Sequence, residues 1–267
     1  MLKRIYLVII WSITILCIGF GCVRYDNGRG YLLFSFSGTK AYEEVNDFSD
    51  KIERTTENKT GEKGTHVYEQ PFTNLVIDCD VADVTVKRGN TLSCDYRIAR
   101  DTKYAFDWKP ENEGTAYITL ENQKKSNSRG SSFIIYVPSE VKLSNLTVEN
   151  AVGDTLVKEV SIDTVSITAG VGDLELEQVT SKDITLDSDT GDVDVSDVVF
   201  QNLSATLSVG DCTIDDVDVD SYNLDLRSGV GDIDINSDSY RSKCIIENGL
   251  SQSITISSSV GDIEIEK

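Results

Sequence analysis

The sequence predicts an all-β protein, a single-domain parallel β-solenoid (β-helix) with about 19–21 residues per turn, preceded by an N-terminal transmembrane helix. Two observations predict the solenoid: a glycine–aspartate pair recurs at near-fixed spacing, and apolar and polar residues alternate strictly around each pair. The first three intervals between glycines are 19 residues, the fourth is 21 and the fifth is 30. We predict that these pairs form the structural turns of the repeat: Gly153 with Asp154, Gly172 with Asp173, Gly191 with Asp192, Gly210 with Asp211, Gly231 with Asp232, and Gly261 with Asp262.

Apolar residues stand at fixed offsets from each glycine, seven and five residues before it and two and four residues after it, with Thr155 as the one polar exception. The residues between them are mostly Asp, Glu, Ser and Thr, so each repeat is predicted to be strand, corner, strand, corner. Glycine suits the corner because it reaches backbone angles that side chains forbid. Stacked strands about 4.8 Å apart would join the apolar residues into a core, and we expect Leu174, Val193 and Ile233 to point into it. The last, longer interval predicts an inserted surface loop near residues 236–250.

Residues 66–150 are predicted to form irregular first coils, and residues 151–267 the regular repeats. Together they would give roughly nine or ten turns. The three prolines of the chain lie outside the repeats, as expected because proline removes a ladder hydrogen bond. The irregular part is predicted to contain strands at 75–79, 82–87, 91–98, 115–121 and 132–137.

The repeated Val-Gly-Asp-hydrophobic-acid-hydrophobic unit, as in Val230 to Ile235 and Val260 to Ile265, resembles the bacterial putative-adhesin family, a domain of unknown function built of β-solenoid coils. Leu75 to Val86 is similar to that family's opening strand pair, and Phe133 to Pro138 followed by Leu143 to Val148 is similar to its lead-in to the repeats. The resemblance covers roughly residues 70–267. It implies a cell-surface protein that acts in adhesion or in envelope-stress sensing.

Residues 1–23 are predicted to be a transmembrane anchor or signal segment. Ile5 to Val23 is a run of 19 residues without charge, close to the ~20 apolar residues that a helix needs to cross a bilayer. The basic residues Lys3 and Arg4 before it should stay in the cytoplasm. We therefore expect a single-pass protein of the cell membrane, held by residues 5–23, with its C-terminal domain extracytoplasmic. Two alternatives stay open: a signal peptide cleaved before Cys22, and a lipoprotein attached through Cys22.

Residues 24–65 are predicted to be a polar juxtamembrane tether, followed by the β-solenoid domain at residues 66–267. This tether is short, and it favours action close to the membrane, whereas the family resemblance favours adhesion.

The charge excludes nucleic acid as a partner and favours cations. The chain carries 25 Lys and Arg against 45 Asp and Glu, a net charge of −20, and the part after Arg4 carries −22. We expect a cationic peptide, an envelope polymer or a membrane protein as partner, or acidic ladders that serve only as a non-sticky surface. A calcium-dependent structural surface repeat is an alternative, although the Gly-Gly-x-Gly-x-Asp nonapeptide of calcium-binding β-rolls is absent from the sequence.

The sequence predicts no catalytic, cofactor-binding or metal-binding residues, and hence no enzyme. His66 is the only histidine, which excludes histidine triads within the repeats and sites that need two histidine ligands; we expect it to be a surface residue. The chain has no phosphate loop and no dinucleotide fingerprint. A carboxylate-based, polysaccharide-acting β-helix enzyme is the remaining enzymatic alternative, since paired acids are abundant.

The cysteines and aromatic residues are predicted to pack inside. Alternation places Cys79, Cys94 and Cys212 on inward positions; Cys79 with Cys94 is the one disulfide considered, and Cys244 lies near the predicted loop.

One aromatic-rich zone is expected to cap the first coil, the alternative being a carbohydrate platform; it comprises Tyr104, Phe106, Trp108 and Tyr117.

Overall fold

A computed structural model describes residues 61–109, 114–122 and 130–267, and the backbone of 25–26, 29–30 and 56–58. The chain divides into two compact units, Met1–Lys51 and Ile52–Lys267. In the first unit, Tyr25–Asp26 (β1) pairs antiparallel with Arg29–Gly30 (β2). The predicted membrane segment at residues 5–23 lies outside the described residues. Within the described part, no helix has the length and apolarity to cross a bilayer.

The second unit is all-β, with one 3-10 turn at Val219–Ser221 as the only helix among the described residues. Its strands are β3 Thr56–Asn58, β4 Glu62–Val67, β5 Asn74–Cys79, β6 Ala82–Gly89, β7 Ser93–Ile98, β8 Thr102–Lys109, β9 Thr115–Asn122, β10 Ser131–Pro138, β11 Leu143–Val152, β12 Thr155–Lys158, β13 Ile162–Val171, β14 Leu174–Glu177, β15 Asp183–Thr190, β16 Val193–Ser196, β17 Asn202–Val209, β18 Cys212–Ile214, β19 Asn223–Val230, β20 Ile233–Ile235, β21 Asp238–Tyr240, β22 Lys243–Ile246, β23 Ser253–Val260 and β24 Ile263–Ile265.

The strands form two mixed sheets of 11 strands each, and a coil is one strand of each sheet joined by a corner. The first sheet has the order β22-β19-β23-β17-β15-β13-β11-β5-β9-β8-β3, and the second has β21-β20-β24-β18-β16-β14-β12-β6-β10-β7-β4. Neighbouring coils pair in parallel with equivalent residues opposite, for example Leu174 with Val193. The predicted inward residues are confirmed, since Leu174, Val193 and Ile233 are at most 1% exposed. The apolar ladders thus fill the space between the sheets.

The coils do not stack in chain order at the C-terminal end. The coil of β23 and β24 lies between the coil of β17 and β18 and the coil of β19 and β20. Ile254, for example, is opposite Leu203 on one side and Leu224 on the other. This order is allowed because every repeat presents the same apolar offsets to its neighbours. The sequence alone indicates a simple succession of coils.

The predicted surface loop at 236–250 is wrong for much of its length. Residues 238–240 (β21) and 243–246 (β22) run antiparallel to β20 and β19, and they cover the coil that these two strands form at the end of the stack. Cys244, opposite Leu226, is buried in this cap. The physical reason is that the open end of a solenoid exposes strand edges and apolar residues, which must be covered.

At the N-terminal end, too, the coils do not stack in chain order. The strands β9 and β10 stack outside β5 and β6, and the chain then returns to place β11 and β12 on their inner side. The antiparallel strands β8 and β7 cover this end, followed by β3 and β4. The five predicted strands are present, but β3, β4 and β8 were not predicted. Strand β3 lies inside the predicted tether, and β4 begins inside it, at Glu62. The described residues form eight stacked coils, fewer than the predicted nine or ten.

The corner glycines are required by close contact as well as by backbone angle. Each of the six has a positive φ, between 131° and 152°. A Cβ on Gly191 would lie 2.0 Å from the carbonyl oxygen of Gly172, and a Cβ on Gly210 would lie 2.0 Å from that of Gly191. Since the atom met is backbone of the next coil, no side-chain movement relieves the clash. The glycine column therefore sets how closely the coils approach.

We predict that Gly191→Ala lowers the free energy of unfolding by more than about 3 kcal/mol, because it combines a strained φ with a backbone clash. Gly130→Ala is the matched control: among the described residues its Cβ would meet only the Val81 side chain, at 4.0 Å, and it should change stability by less than about 0.5 kcal/mol. Urea unfolding of both variants checks this. Equal stabilities would contradict the close-contact account.

Candidate functional surfaces

The repeated aspartates form a hydrogen-bonded column along the corner edge of the stack. The backbone N–H of Asp192 donates to Oδ1 of Asp173 at 2.9 Å, and the N–H of Asp211 donates to Oδ1 of Asp192 at 2.9 Å. The same bond links the other coils, in spatial order, at 2.7–3.1 Å. Five of the six carboxylates therefore satisfy a backbone donor of the next coil, and Asp232, in the outermost coil, only donates. The column follows the stacking order, with Asp262 between Asp211 and Asp232.

This column changes the interpretation of the repeated acids. The sequence suggests that solvent and counterions alone offset the repulsion between neighbouring carboxylates. In the structure, the N–H groups also stabilise them, since a charged acceptor makes the stronger kind of hydrogen bond. The Gly-Asp aspartate is thus a structural residue with a bond that its spacing does not show.

We predict that Asp192→Ala lowers the free energy of unfolding by about 1–2 kcal/mol, because the N–H of Asp211 loses its acceptor. Asp192→Asn keeps an acceptor oxygen in the same place and should lose less than half as much. Thermal or urea unfolding of the two variants separates them. An Ala variant as stable as the Asn variant would show that the bond adds nothing.

The outer side of the second sheet is acidic from β14 to β21, and we call this region the acidic face. Along the stack, Glu175 is opposite Asp194, and Glu264 is opposite Asp234. Thr213 lies between these two pairs, opposite both Asp194 and Glu264. Burial raises the pKa of Asp194, and neighbouring carboxylates, foremost Asp192, raise it further. The described strands of this face contain no Lys or Arg.

A second group of carboxylates lies on the outer side of the first sheet. Asp78 is opposite Glu149 on the next strand. Partial burial raises the pKa of Asp78 to about 6, and the charges of Glu149, Asp80 and Glu121 contribute to the shift. Burial also raises the pKa of Glu149. Among the described residues, no group of three His, Cys, Asp or Glu side chains is arranged to hold a metal ion.

An exposed apolar edge runs beside the glycine column. A valine precedes five of the six repeat glycines, and Thr190 takes its place in the remaining coil. These residues are opposite one another from coil to coil. The exposed valines are Val152, Val171, Val209, Val260 and Val230. The edge therefore repeats one apolar side chain at strand spacing.

The N-terminal cap contains His66 and the predicted aromatic zone. The ring of His66 stacks on Phe106 with centroids 4.6 Å apart, so this histidine is not a simple surface residue, and burial lowers its pKa. Phe106 also contacts Phe133 of the first coil, edge to face. Tyr104 is buried and donates its hydroxyl to Glu62 at 2.7 Å. The zone therefore packs as a cap, which confirms the preferred sequence interpretation.

The described cysteines are buried free thiols. Cys79, Cys94 and Cys212 are at most 2% exposed, as predicted, and the considered disulfide between Cys79 and Cys94 is not present. Burial raises the pKa of Cys212 to about 12. Cys244, expected near a surface loop, is also buried. In this environment the thiols act as small apolar residues.

Residues 72–267 match the family model described as Toastrack DUF4097. Comparison with curated proteins finds no match. Among solved structures, the chain is similar to a putative cell adhesion protein from Clostridium sporogenes, at 10% identity and a TM-score of 0.43, with 78% of this chain and 99% of that chain covered. It is also similar to a putative adhesin from Bacteroides fragilis, at 15% identity and a TM-score of 0.44, covering 78% and 98%. A putative lipid binding protein from Parabacteroides distasonis matches at 14% identity and a TM-score of 0.32, covering 77% and 98%.

Proposed function

This chain belongs to the Toastrack family, as its repeated Val-Gly-Asp units indicate, and from that premise we propose that it is a membrane-tethered, extracytoplasmic binding scaffold of the bacterial cell envelope. It acts without catalysis, in surface adhesion or in envelope-stress sensing. Residues 5–23 hold it in the cell membrane as a single-pass protein, with the N-terminus in the cytoplasm. The solenoid of the second unit is the part that meets its partners.

One observation carries the proposal: the outer surfaces repeat the same side-chain chemistry coil after coil. The acidic face presents a carboxylate on most of its strands, and the valine edge presents an apolar group in five of six repeats. Such an array offers many equivalent weak contacts rather than one pocket. Equivalent contacts bind a repeating or extended partner with avidity that exceeds any single contact.

Charge selects the kind of partner for the acidic face. Residues 162–267 carry 23 Asp and Glu against five Lys and Arg. A cationic peptide or the basic patch of a membrane protein would complement this surface. The attraction is screened over roughly 8 Å at physiological salt, so association should weaken as salt rises.

The proposal also assigns the acids a role other than chemistry. Five of the six Gly-Asp carboxylates accept the N–H of the next coil, and the outward acids follow the structural period.

We predict that the full chain, expressed in a bacterial cell, remains with the membrane after alkaline carbonate washing, and that protease added from outside cleaves the second unit. The reason is the uncharged run from Ile5 to Val23. Recovery of the chain in the medium would contradict the anchor and support cleavage before Cys22. Fatty-acid labelling that is lost in Cys22→Ser would support the lipoprotein alternative.

A further inference from the structure

We propose that the outer side of the second sheet at its N-terminal end docks on the anionic lipid headgroups of the membrane that holds the chain, an inference that rests on the proposed tethering. We call this region, formed by β4, β7, β10, β6 and β12, the basic face. Because the acidic face continues the same side of the same sheet from β14 onward, the docked solenoid would tilt, with its basic end against the bilayer and its acidic end lifted from it.

Charge is segregated along the solenoid. Residues 61–109 carry seven Lys and Arg against eight Asp and Glu, whereas residues 162–267 carry five against 23. On the second sheet, the change occurs between β12, which carries outward Lys158, and β14, which carries outward Glu175 and Glu177. The N-terminal end of the solenoid is thus nearly neutral and the C-terminal end strongly acidic, so an anionic surface repels the C-terminal end far more strongly.

The cations of the basic face are arranged in rows across the strands. Lys63 is opposite Arg97, and Lys87 is opposite Lys158. Lys158 is paired with Glu177 at 2.7 Å, while no ion pair involves Lys63, Lys87 or Arg97 within the described part of the chain. Lys63 and Lys87 are therefore available to an external anion, and Arg97, which also donates to the carbonyl oxygen of Gly130 at 3.4 Å, keeps further donors; outward Asp83 and Asp95 lie on the same face.

Apolar side chains lie between these cations. Ile134, Tyr136 and Leu156 point outward and are half-buried, and Val67 at the edge is 57% exposed. The ammonium of Lys87 lies 5.3 Å from the centre of the Tyr136 ring. Cations mixed with aliphatic and aromatic groups on one face are typical of segments that bind the membrane interface, where headgroups meet acyl chains.

The basic face also contains a recess. A shallow, open depression of about 430 Å³ is lined by Lys63, Thr65, Asp95, Arg97, Ser132 and Ile134, and Asp95 accepts a hydrogen bond from the Thr65 hydroxyl. Its two cations stand beside each other on β4 and β7, with an apolar floor at Ile134. The side of the depression formed by Lys63 and Arg97 can contact a phosphate group, while Asp95, opposite Ile134 and Thr65, lies on its other side.

Chain order makes the lipid surface the favoured occupant. Of the strands of the second sheet, β4 follows the predicted anchor most closely in the sequence. An anchor in the same chain raises the effective concentration of lipid at the face, so weak contacts suffice. Each Lys or Arg near an anionic bilayer strengthens its association about fivefold.

The test uses the full chain reconstituted in vesicles of phosphatidylcholine, with or without phosphatidylglycerol. A donor fluorophore at Val67→Cys or at Ser237→Cys reports energy transfer to an acceptor on the lipid headgroups. We expect transfer from position 67 to exceed that from position 237 when phosphatidylglycerol is present. The difference should shrink at high salt and without the anionic lipid.

Charge reversal with a matched control completes the test. Lys63→Glu, Lys87→Glu and Arg97→Glu together should lower the docking constant on the order of 100-fold. The control, with the same change of charge in the exposed residues Lys182, Arg241 and Lys243, should leave docking in place. Both variants should keep the wild-type circular dichroism spectrum.

Several outcomes would overturn the proposal. Equal transfer from the two positions, or transfer from position 67 that survives the triple reversal, would contradict docking through these cations. Binding of inorganic polyphosphate without lipid-dependent transfer would assign the face to a polyanion instead. Failure of the tether is distinguishable, since the chain would then fail to float with vesicles of phosphatidylcholine alone.

Discussion

The approach of one backbone to the next at the Gly-Asp corner is the constraint on which the rest of the structure depends. Strands of neighbouring coils must keep hydrogen-bonding distance on both sheets, about 4.8 Å apart. At the corner, where the chain passes from one sheet to the other, only glycine leaves room for the carbonyl of the next coil. The following aspartate then connects the coils through the N–H of the next aspartate. The glycine and the aspartate of each corner thus fix the spacing between coils, the shape of the turn and the hydrogen bonds along the corner edge.

Uniform corners make the coils interchangeable neighbours, and the order of the stack follows from this. The coil of β23 and β24 pairs as well with β17 and β18 as it does with β19 and β20. The chain therefore passes through the outer coil, β19 and β20, before it returns to form the coil of β23 and β24 on the inner side of that coil. Placing β21 and β22 as an antiparallel cap covers the strand edges that would otherwise invite association. Interchangeable coils also leave the outer surfaces free to vary, which allows charge to be segregated along one sheet.

The sequence was sufficient for the regular coils and insufficient where the pattern is not periodic. Alternation around Gly191 predicts that Val193 and Val195 are buried, because a period of two leaves one face for the core. It cannot predict which coil is next to which, since Leu203, Leu224 and Ile254 are equivalent in pattern. The bond from Asp211 to Asp192 was missed for a related reason: it joins residues 19 apart, and its existence depends on the corner conformation. The second corner is predicted, but its conformation is not, because Gln178 and Asp197 adopt positive φ there without a glycine to mark it.

The chemical character of the candidate surfaces can be predicted from the sequence, but their position on the fold cannot be predicted as well. The acidic charge is evident from the sequence, but the basic face becomes visible only when Lys63, Arg97 and Lys87, from separate strands, are brought to one side of a sheet. His66 shows the same limit. Its polar neighbours in the sequence suggest a surface position, whereas pairing of β4 with β7 carries its ring onto Phe106.

Cysteine cross-linking tests the central claim, that equivalent corners let the last coil stack out of chain order. Thr206, Ser257 and Arg227 are exposed and lie on successive strands, with Ser257 opposite both of the others. Under mild oxidation, Thr206→Cys with Ser257→Cys should cross-link, and so should Ser257→Cys with Arg227→Cys. Thr206→Cys with Arg227→Cys should not, because two strand spacings, about 9.6 Å, exceed the reach of a disulfide. Efficient cross-linking of positions 206 and 227 would show coils stacked in chain order and would contradict the account.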